Sequence, residues 1–307
     1  MSRLAWLDTA KGIGIIAVVA GHVFSNRQVA DLIYLWHMPL FFFLSGYLFS
    51  PRPSLAFAVK KAKHLLVPYL AFLLVLSLPQ LLAGDLNHVR KMIFGGRLLT
   101  GTFGTFWFIP VLFLTQQLAN YLFPRLSINA QAALVAACIA VAALIPPGLS
   151  VPWALDVMLF TLPVFWLGTR CKGHDPSNGV VSAVGVIGLV FCATGLLPPL
   201  DLKAGQYGLP ILTLTFSVTA VYLVCQVSRI QSPLSRPLQA LGGASMTIMF
   251  LHQAVFRGIR DGLHWTNNET LLFGIALTVP FALHQLLART ALTRQLFLGE
   301  ARIQGSG

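Results

Sequence analysis

His22 is the first residue of this chain whose type and position suit chemistry. It lies inside an apolar stretch, in the sequence DTAKGIGIIAVVAGH that begins at residue 8. Burying a polar side chain within a membrane segment costs free energy, so such a residue usually has a functional role or a polar partner. A neutral imidazole can take a proton from a hydroxyl group, and it can also act as a nucleophile. We therefore predict a catalytic role for His22, with a histidine hydrogen-bonded in the core as the structural alternative.

Asp8 and Lys11 precede His22 on one face of the same predicted helix. The spacing of 11 residues between Lys11 and His22 corresponds to about 20° past three full turns and to about 16 Å along the axis. A lysine side chain is shorter than this distance, so the two residues are expected at different depths of one cavity. We group Asp8 and Lys11 with His22 as candidate catalytic residues. The alternative is that Lys11 is an interfacial anchor paired with Asp8.

A second histidine, His37, opens the next apolar run, LWHMPLFFFLSGYLF. Pro39 suits the first turn of a helix and disfavours helical geometry at Met38. We therefore expect His37 at the mouth of this helix, near the outer membrane face. Ser45 and the glycine after it form a small pair that permits close packing of helices.

The composition indicates that a bundle of membrane helices positions these residues. Of 307 residues, 56% are hydrophobic and 10% are charged, whereas a soluble domain carries about 25% charged residues. The apolar runs are long and do not alternate with a period of two, which favours helices over a β-barrel. We predict an all-α polytopic bundle of about ten transmembrane helices, organised as a single domain over residues 1–307. The predicted spans are 12–25, 32–49, 65–83, 105–123, 130–147, 153–170, 179–197, 208–227, 242–259 and 270–289.

The basic excess of the chain lies mostly in short loops. There are 21 lysine and arginine residues against 9 acidic residues, which gives a net charge of +12. The loops are too short to fold as a nucleic-acid module, so we interpret the charge as membrane topology and expect no nucleic-acid partner. With the N-terminus inside, 14 of the 21 basic residues face the cytoplasm, which predicts both termini on that side. A signal peptide cleaved after Ala20 is disfavoured, because Asp8 interrupts its basic region.

A cluster of lysines suits a polyanionic ligand. Lys60, Lys61 and Lys63 precede the third span on the predicted inner side. Lysine binds phosphate as a point charge, although plain topology-determining charge is the alternative. Lys60 and Lys63 are spaced as a helical i,i+3 pair, whereas Lys61 is predicted to point elsewhere.

Three more residues are candidates by type and position. Asp156 is a carboxylate in or beside the sixth span, and an intramembrane carboxylate is a site hypothesis by default. Trp107 and His252 lie in apolar runs, where interfacial or core roles are the alternatives. The four cysteines form no C-x-x-C pair and lie in or beside apolar runs, so we expect no metal site.

Five stretches together resemble one family of membrane enzymes. They are GH at 21–22, HMPLFFFLSGYLF at 37–49, KKAKHLLVPYL at 60–70, FWFIPVLF at 106–113 and SMTIMFLHQAVF at 245–256. In this order they are similar to motifs of the integral-membrane acyltransferase family 3, and most similar to its fucose 4-O-acetylase-like branch.

The resemblance implies a ten-helix core that transfers an acyl group, usually acetyl, from cytoplasmic acyl-CoA to a sugar hydroxyl. His22 matches the family's catalytic histidine, as general base or as acyl acceptor. Lys11 stands where the family has an arginine, which keeps the charge and loses the guanidinium fork. The implied co-substrate is acetyl-CoA or another acyl-CoA, without a metal. The implied acceptor is a carbohydrate or a lipid-linked glycan, and the implied location is the bacterial inner membrane.

On this interpretation, each remaining candidate has an expected role. The expected CoA contacts are Lys11, Lys60, Lys61 and Lys63. The expected acceptor side is lined by His37 and Ser45, and further substrate contacts are Trp107, Asp156 and His252. One rival hypothesis is a proton-coupled transporter or flippase in which His22 and Asp156 relay protons. Another is a non-catalytic membrane partner of a glycan assembly complex.

Overall fold

The computed structural model describes residues 5–146, 148–149, 151–173 and 179–300. The long apolar runs form α-helices, which satisfy the backbone amides and carbonyls within each segment. The α-helices in chain order are α1 (Ala5–Val23), α2 (Arg27–Tyr34), α3 (His37–Tyr47), α4 (Ser54–Lys61), α5 (Val67–Leu82), α6 (Leu86–Phe94), α7 (Phe108–Leu122), α8 (Ile128–Leu144), α9 (Met158–Arg170), α10 (Gly179–Ala193), α11 (Pro210–Val227), α12 (Ser235–Gly243), α13 (Ser245–Arg257), α14 (Glu269–Leu287) and α15 (Ala291–Thr293).

Short irregular helices and a small hairpin connect these elements. The π turns are Ala62–Leu66, Gly258–Gly262 and Arg294–Leu298, and the 3-10 turns are Gly96–Leu98, Gly101–Phe103, Phe123–Arg125 and Pro152–Val157. The strands β1 (Leu200–Asp201) and β2 (Gln206–Tyr207) pair antiparallel, with Leu200 opposite Tyr207.

Within the described ranges, seven helical segments are long and apolar enough to cross a membrane. They are Ala5–Val23, Arg27–Tyr47, Ser54–Leu82, Gly101–Arg125, Pro152–Arg170, Pro210–Val227 and Glu269–Leu287. The shorter apolar helices α8 and α10 coincide with two further predicted spans, and α13 coincides with the ninth. The helical membrane architecture is therefore confirmed, and the count of ten spans stays a prediction.

The second predicted span is divided into α2 and α3. Trp36 lies between the two helices with φ −131° and ψ −24°, and α3 begins at His37. Met38 is helical, so the expectation that Pro39 displaces it is wrong. The first four amides of a helix have no partner within it, so a proline in the first turn of α3 costs no hydrogen bond. The break places His37 at the start of a helix, as its position in the sequence predicts.

α1 and α3 are held in the bundle by close backbone contacts. A Cβ atom on Gly12 of α1 would collide with the carbonyl oxygen of Leu238 in α12. A Cβ atom on Gly46 of α3 would collide with the carbonyl oxygen of Phe165 in α9. Membrane helices gain packing contacts when small residues let their backbones approach closely. These contacts fix the two helices that carry the candidate histidines of the first two spans.

A buried ion pair joins three loops at one end of the bundle. Arg97 donates to the two carboxylate oxygens of Asp156 at 2.7 and 2.5 Å, and the hydroxyl of Tyr207 donates to Asp156 at 3.2 Å. The same guanidinium donates to the carbonyl oxygen of Lys203 at 2.5 Å and to that of Leu149. We call this cluster the loop clamp. It ties the segment before α7 to the segment before α9 and to the β1–β2 hairpin.

Candidate functional site

Among the cavities along α1, one is lined by Lys11 and another by His22, and we name these two by the residues that line them. The lysine cavity has a volume of about 330 Å³, and the histidine cavity has a volume of about 70 Å³. Residues that line the lysine cavity include Lys11, Ser45, Lys61, His64, Gln116 and His284. Residues that line the histidine cavity include His22, Tyr34, His37, Trp107, Asp201 and Lys203.

α1 carries one polar residue into each cavity. Lys11 lines the lysine cavity, and His22 lines the histidine cavity three turns further along the helix. The two residues lie at different depths, as their spacing predicts, but they line two cavities and not the single cavity that was expected. Nζ of Lys11 also lies 3.2 Å from a carboxylate oxygen of Asp8, whose side chain is 8% exposed. Asp8 itself lines a separate cavity beside Gln239, so His22 is the one of the three that lines the histidine cavity.

His22 is held by Tyr34 and is open to the histidine cavity. The hydroxyl oxygen of Tyr34 lies 3.4 Å from His22 Nδ1 and 3.4 Å from the carbonyl oxygen of Gly21. A carbonyl oxygen only accepts, so Tyr34 donates its one proton to Gly21 and accepts from the Nδ1–H group of His22. With the proton on Nδ1, the Nε2 atom of His22 is an acceptor, as a general base requires.

Two more histidines beside His22 have the same tautomer. Nδ1 of His37 lies 2.9 Å from the carbonyl oxygen of Ile33, and Nδ1 of His252 lies 2.9 Å from that of Ile248. Both ring nitrogens must donate, because a carbonyl oxygen accepts. The ring of His252 stacks on that of His22 with centroids 5.3 Å apart. Nε2 of His252 is buried and unpaired within the described residues. An unpaired buried nitrogen is rare. His252 lines neither of the two cavities, so its role as a substrate contact stays a prediction.

Trp107 and the β1–β2 hairpin complete the wall of the histidine cavity. Trp107 is 5% exposed, and Asp201 and Lys203 of the hairpin line the same cavity. Nζ of Lys203 donates to the carbonyl oxygen of Leu99 at 2.7 Å. Burial lowers the pKa of Lys203 to about 8, against the opposing effect of Asp201. The wall therefore combines an aromatic face with a carboxylate and an amine, which suits a ligand rich in hydroxyl groups.

The lysine cluster matches the prediction in part. Lys61 lines the lysine cavity, whereas Lys60 and Lys63 are exposed and are not among its lining residues. Lys61 therefore points away from Lys60 and Lys63, as the spacing predicts. Lys61, and not the Lys60/Lys63 pair, is the lysine of this segment that reaches the cavity.

Ser45 lies in the lysine cavity, not beside His37. Its hydroxyl accepts a hydrogen bond from Nε2 of Gln116 at 2.6 Å, and both residues line the lysine cavity. Eight residues of α3 separate Ser45 from His37, which corresponds to about 12 Å along the axis. The expectation that Ser45 lines the acceptor side is therefore wrong, because the two residues lie at opposite ends of α3.

Asp156 lines neither of the two cavities. Its carboxylate belongs to the loop clamp, where Arg97 and Tyr207 occupy its oxygens. The carboxylate of Asp156 is therefore not placed to contact a substrate directly. Its position instead secures the β1–β2 hairpin, which carries Lys203 into the histidine cavity.

Several residues that line the histidine cavity were not predicted from the sequence, among them Tyr34, Asp201, Lys203 and Met249. Tyr34 precedes His37 by three residues, a helical spacing that would have indicated it. Lys203 comes from a short hairpin without a motif, and Met249 is one of many apolar residues in its helix. Within the described ranges, no group of three His, Cys, Asp or Glu side chains is placed to hold a metal ion.

Comparison with known proteins identifies the family. Residues 4–288 match the acyltransferase domain model of acyltransferase family 3, and the chain belongs to this family. It is similar to Nodulation protein NolL of Sinorhizobium fredii, with 33% identity over 185 residues, and to Nodulation protein NolL of Mesorhizobium japonicum, with 32% identity over 179 residues. Each match covers 52% of this chain and 46% of the relative, so the matched part spans about half the length of these relatives. No solved structure matches the chain significantly.

Proposed function

We propose that this protein transfers an acyl group, acetyl in the simplest case, from cytoplasmic acyl-CoA to a hydroxyl group of a carbohydrate. One observation carries the proposal. α1 presents Lys11 to a cavity with a mixed polar and apolar lining, and it presents His22 to a smaller cavity that His37 also lines. Membership of acyltransferase family 3 supports acyl transfer as the class of reaction.

In the proposed reaction, Nε2 of His22 takes the proton of the acceptor hydroxyl. The hydroxyl oxygen forms a bond to the carbonyl carbon of the thioester, and the bond between that carbon and the CoA sulfur breaks. The proton then passes from His22 to the CoA thiolate, so His22 returns to its neutral form. In the alternative route, Nε2 of His22 first accepts the acyl group and then passes it to the acceptor. Both routes need an unprotonated Nε2, which the Nδ1–H contact with Tyr34 favours.

The lysine cavity suits the CoA part of the donor. CoA carries phosphate groups at one end and the thioester at the end of a long arm. Lys61 and Lys11 provide cations at the cavity wall, and Lys60 and Lys63 add charge to the same segment. The arm would then extend along α1 toward His22, about 16 Å from Lys11.

The histidine cavity suits the acceptor. Trp107 offers a face for the apolar side of a sugar ring, and Asp201 and Lys203 offer an acceptor and a donor for hydroxyl groups. His37 presents Nε2 as a further acceptor. A free carbohydrate and the sugar of a lipid-linked glycan both fit this chemistry.

We further propose an orientation in the bacterial inner membrane with both termini in the cytoplasm. The two-to-one bias of basic residues supports it. In this orientation the lysine cavity opens toward cytoplasmic acyl-CoA, and the histidine cavity faces the opposite side of the lipid bilayer.

The transporter hypothesis is weaker after the structure than before it. It requires His22 and Asp156 as proton relays, and Asp156 is paired with Arg97 and lines neither cavity. Arg97 and Tyr207 occupy the oxygens of this carboxylate, which leaves it facing neither cavity, whereas a relay residue would have to face one.

Binding of acetyl-CoA tests the proposal at its first step. We expect acetyl-CoA to raise the melting temperature of the purified protein, because a ligand that binds the native state stabilises it. Dephospho-CoA, which lacks one phosphate group, should stabilise less. No shift at saturating acetyl-CoA would contradict the proposal and favour a transporter or a non-catalytic partner.

Mass spectrometry of surface glycans tests the reaction itself. Glycans from cells that contain the protein should carry an acetyl group that is missing in cells without it. A strain with the His22→Ala protein should match the strain without the protein. Identical glycan masses in all three strains would show that the acceptor is not a surface glycan.

A further inference from the structure

The two cavities meet at one side chain. Among the described lining residues, Met249 is common to the lysine cavity and the histidine cavity. It is 4% exposed and lies on α13, one turn before His252. In the proposed reaction, the acyl group must pass the side chain of Met249 to move from the lysine cavity to His22.

Met249 is part of a partition between the two cavities, and aromatic rings form much of the rest of that partition. On α3, Met38 lines the histidine cavity and Phe41 lines the lysine cavity. At the start of α7, Trp107 lines the histidine cavity and Phe108 lines the lysine cavity. The ring of Phe108 packs edge-on against those of Phe41 and Phe42, with centroids 6.0 and 5.2 Å apart. Rings that interlock in this way can shift only together, so this part of the partition is rigid.

Met249 differs from these rings in its freedom to move. The hydroxyl of Thr105 donates to the carbonyl oxygen of Met249 at 2.8 Å, which holds the backbone in place. The side chain itself has three rotatable bonds and an unbranched thioether, so it can change shape without moving the helix. The partition therefore combines a fixed backbone, rigid rings and one adaptable side chain.

We propose that Met249 determines the length of the acyl chain that this protein transfers. The inference rests on the proposed function. When the thioester carbon lies beside Nε2 of His22, the acceptor occupies the small histidine cavity. The acyl chain then has to lie at the partition, next to the side chain of Met249. A short acyl group fits beside the thioether, whereas a longer chain must displace it. Inserting extra methylene groups into a closely packed region costs free energy.

A donor series tests this proposal. Inverted membrane vesicles that contain the protein are given acetyl-, butyryl- or hexanoyl-CoA labelled in the acyl group, and label in the glycan fraction is measured. We expect Met249→Ala to raise the ratio of hexanoyl to acetyl transfer about tenfold, the discrimination that a methylene-sized space typically gives. Met249→Val, which removes less volume, should raise the ratio less and provides a second variant if the alanine variant folds poorly.

Met246→Ala is the matched control. Met246 lies on the same helix and lines the lysine cavity but not the histidine cavity, so its removal should leave the ratio unchanged. An equal rise in the Met246 variant, or no rise in either Met249 variant while acetyl transfer persists, would overturn the inference alone. No transfer of any acyl group by the unchanged protein would instead overturn the proposed function on which the inference rests.

Discussion

The lysine cavity and the histidine cavity differ in how their polar groups are held. In the histidine cavity, the Nδ1 atoms of His22 and His37 each contact a fixed partner in the protein. In the lysine cavity, the charge lies on long side chains, and Nζ of Lys61 is 5.5 Å from the ring centroid of Phe57. Fixed dipoles suit stabilisation of reacting atoms, whereas flexible cations suit binding of a flexible polyanion. This difference supports the proposal that the chemistry takes place in the histidine cavity and that the donor binds in the lysine cavity.

The sizes of the cavities support the same division. The lysine cavity, at about 330 Å³, can hold a substantial part of a donor, whereas the histidine cavity, at about 70 Å³, can admit only a small part of an acceptor. Substitutions in the histidine cavity should therefore lower kcat, and substitutions in the lysine cavity should raise the KM for acyl-CoA.

Removing the imidazole of His22 should have the largest effect. We expect His22→Ala to lower kcat by about 10²- to 10⁴-fold, the typical contribution of a positioned general base. Stabilisation by acetyl-CoA should persist in this variant. His284→Ala is the control in the other cavity, because His284 contacts Thr247 at 3.0 Å and lines the lysine cavity. A near-normal kcat in His22→Ala would end the assignment of chemistry to the histidine cavity.

Breaking the loop clamp should destabilise the protein. We expect Asp156→Asn to lower the free energy of unfolding by about 3 kcal/mol, because it leaves the buried charge of Arg97 without its counterion. Chemical unfolding in detergent measures the change. Asp261→Asn removes the same charge from an exposed pair with Arg260 and should have little effect. Equal stability losses in the two variants would contradict a structural role for the buried pair.

Lys61 should contribute more to donor binding than its neighbours do. We expect Lys61→Ala to raise the KM for acetyl-CoA about tenfold with little change in kcat, because a hydrogen bond to a charged group is lost. Lys60→Ala is the matched control, since Lys60 is exposed and is not among the residues lining the cavity. If both variants changed KM equally, the charge of the whole segment, and not the position of Lys61, would determine donor binding.

Tyr34 should have the smallest effect of the set. We expect Tyr34→Phe to lower kcat about fivefold, the usual range for one neutral hydrogen bond, because the Nδ1–H group of His22 loses its partner. The KM for acetyl-CoA should not change. Tyr47→Phe is the control, since the ring of Tyr47 packs against Trp6. A change in the KM for acetyl-CoA without a change in kcat would indicate that Tyr34 contributes to donor binding and not to the orientation of His22.

Features that follow from local helix geometry could be predicted from the sequence. The apolar runs indicated the helical membrane fold because a span needs about 20 apolar residues whatever its neighbours are. The separation of Lys11 and His22 could be predicted because both lie on one helix, where each residue adds a fixed rise and rotation. The motifs of the first two spans also sufficed to indicate acyltransferase family 3, which the family match confirms.

Features that depend on contacts between distant segments could be decided only by the tertiary structure. Asp156 meets Arg97, 59 residues away in the chain, and no local pattern marks that pairing. Lys61, and not Lys60 or Lys63, lines the lysine cavity, and the sequence spacing does not show which face of α4 meets that cavity. Met249 became distinctive only because the packing of α13 in the bundle places it at both cavities. Sequence periodicity determines which residues share a face of one helix, whereas the packing of helices determines which faces enclose the same cavity.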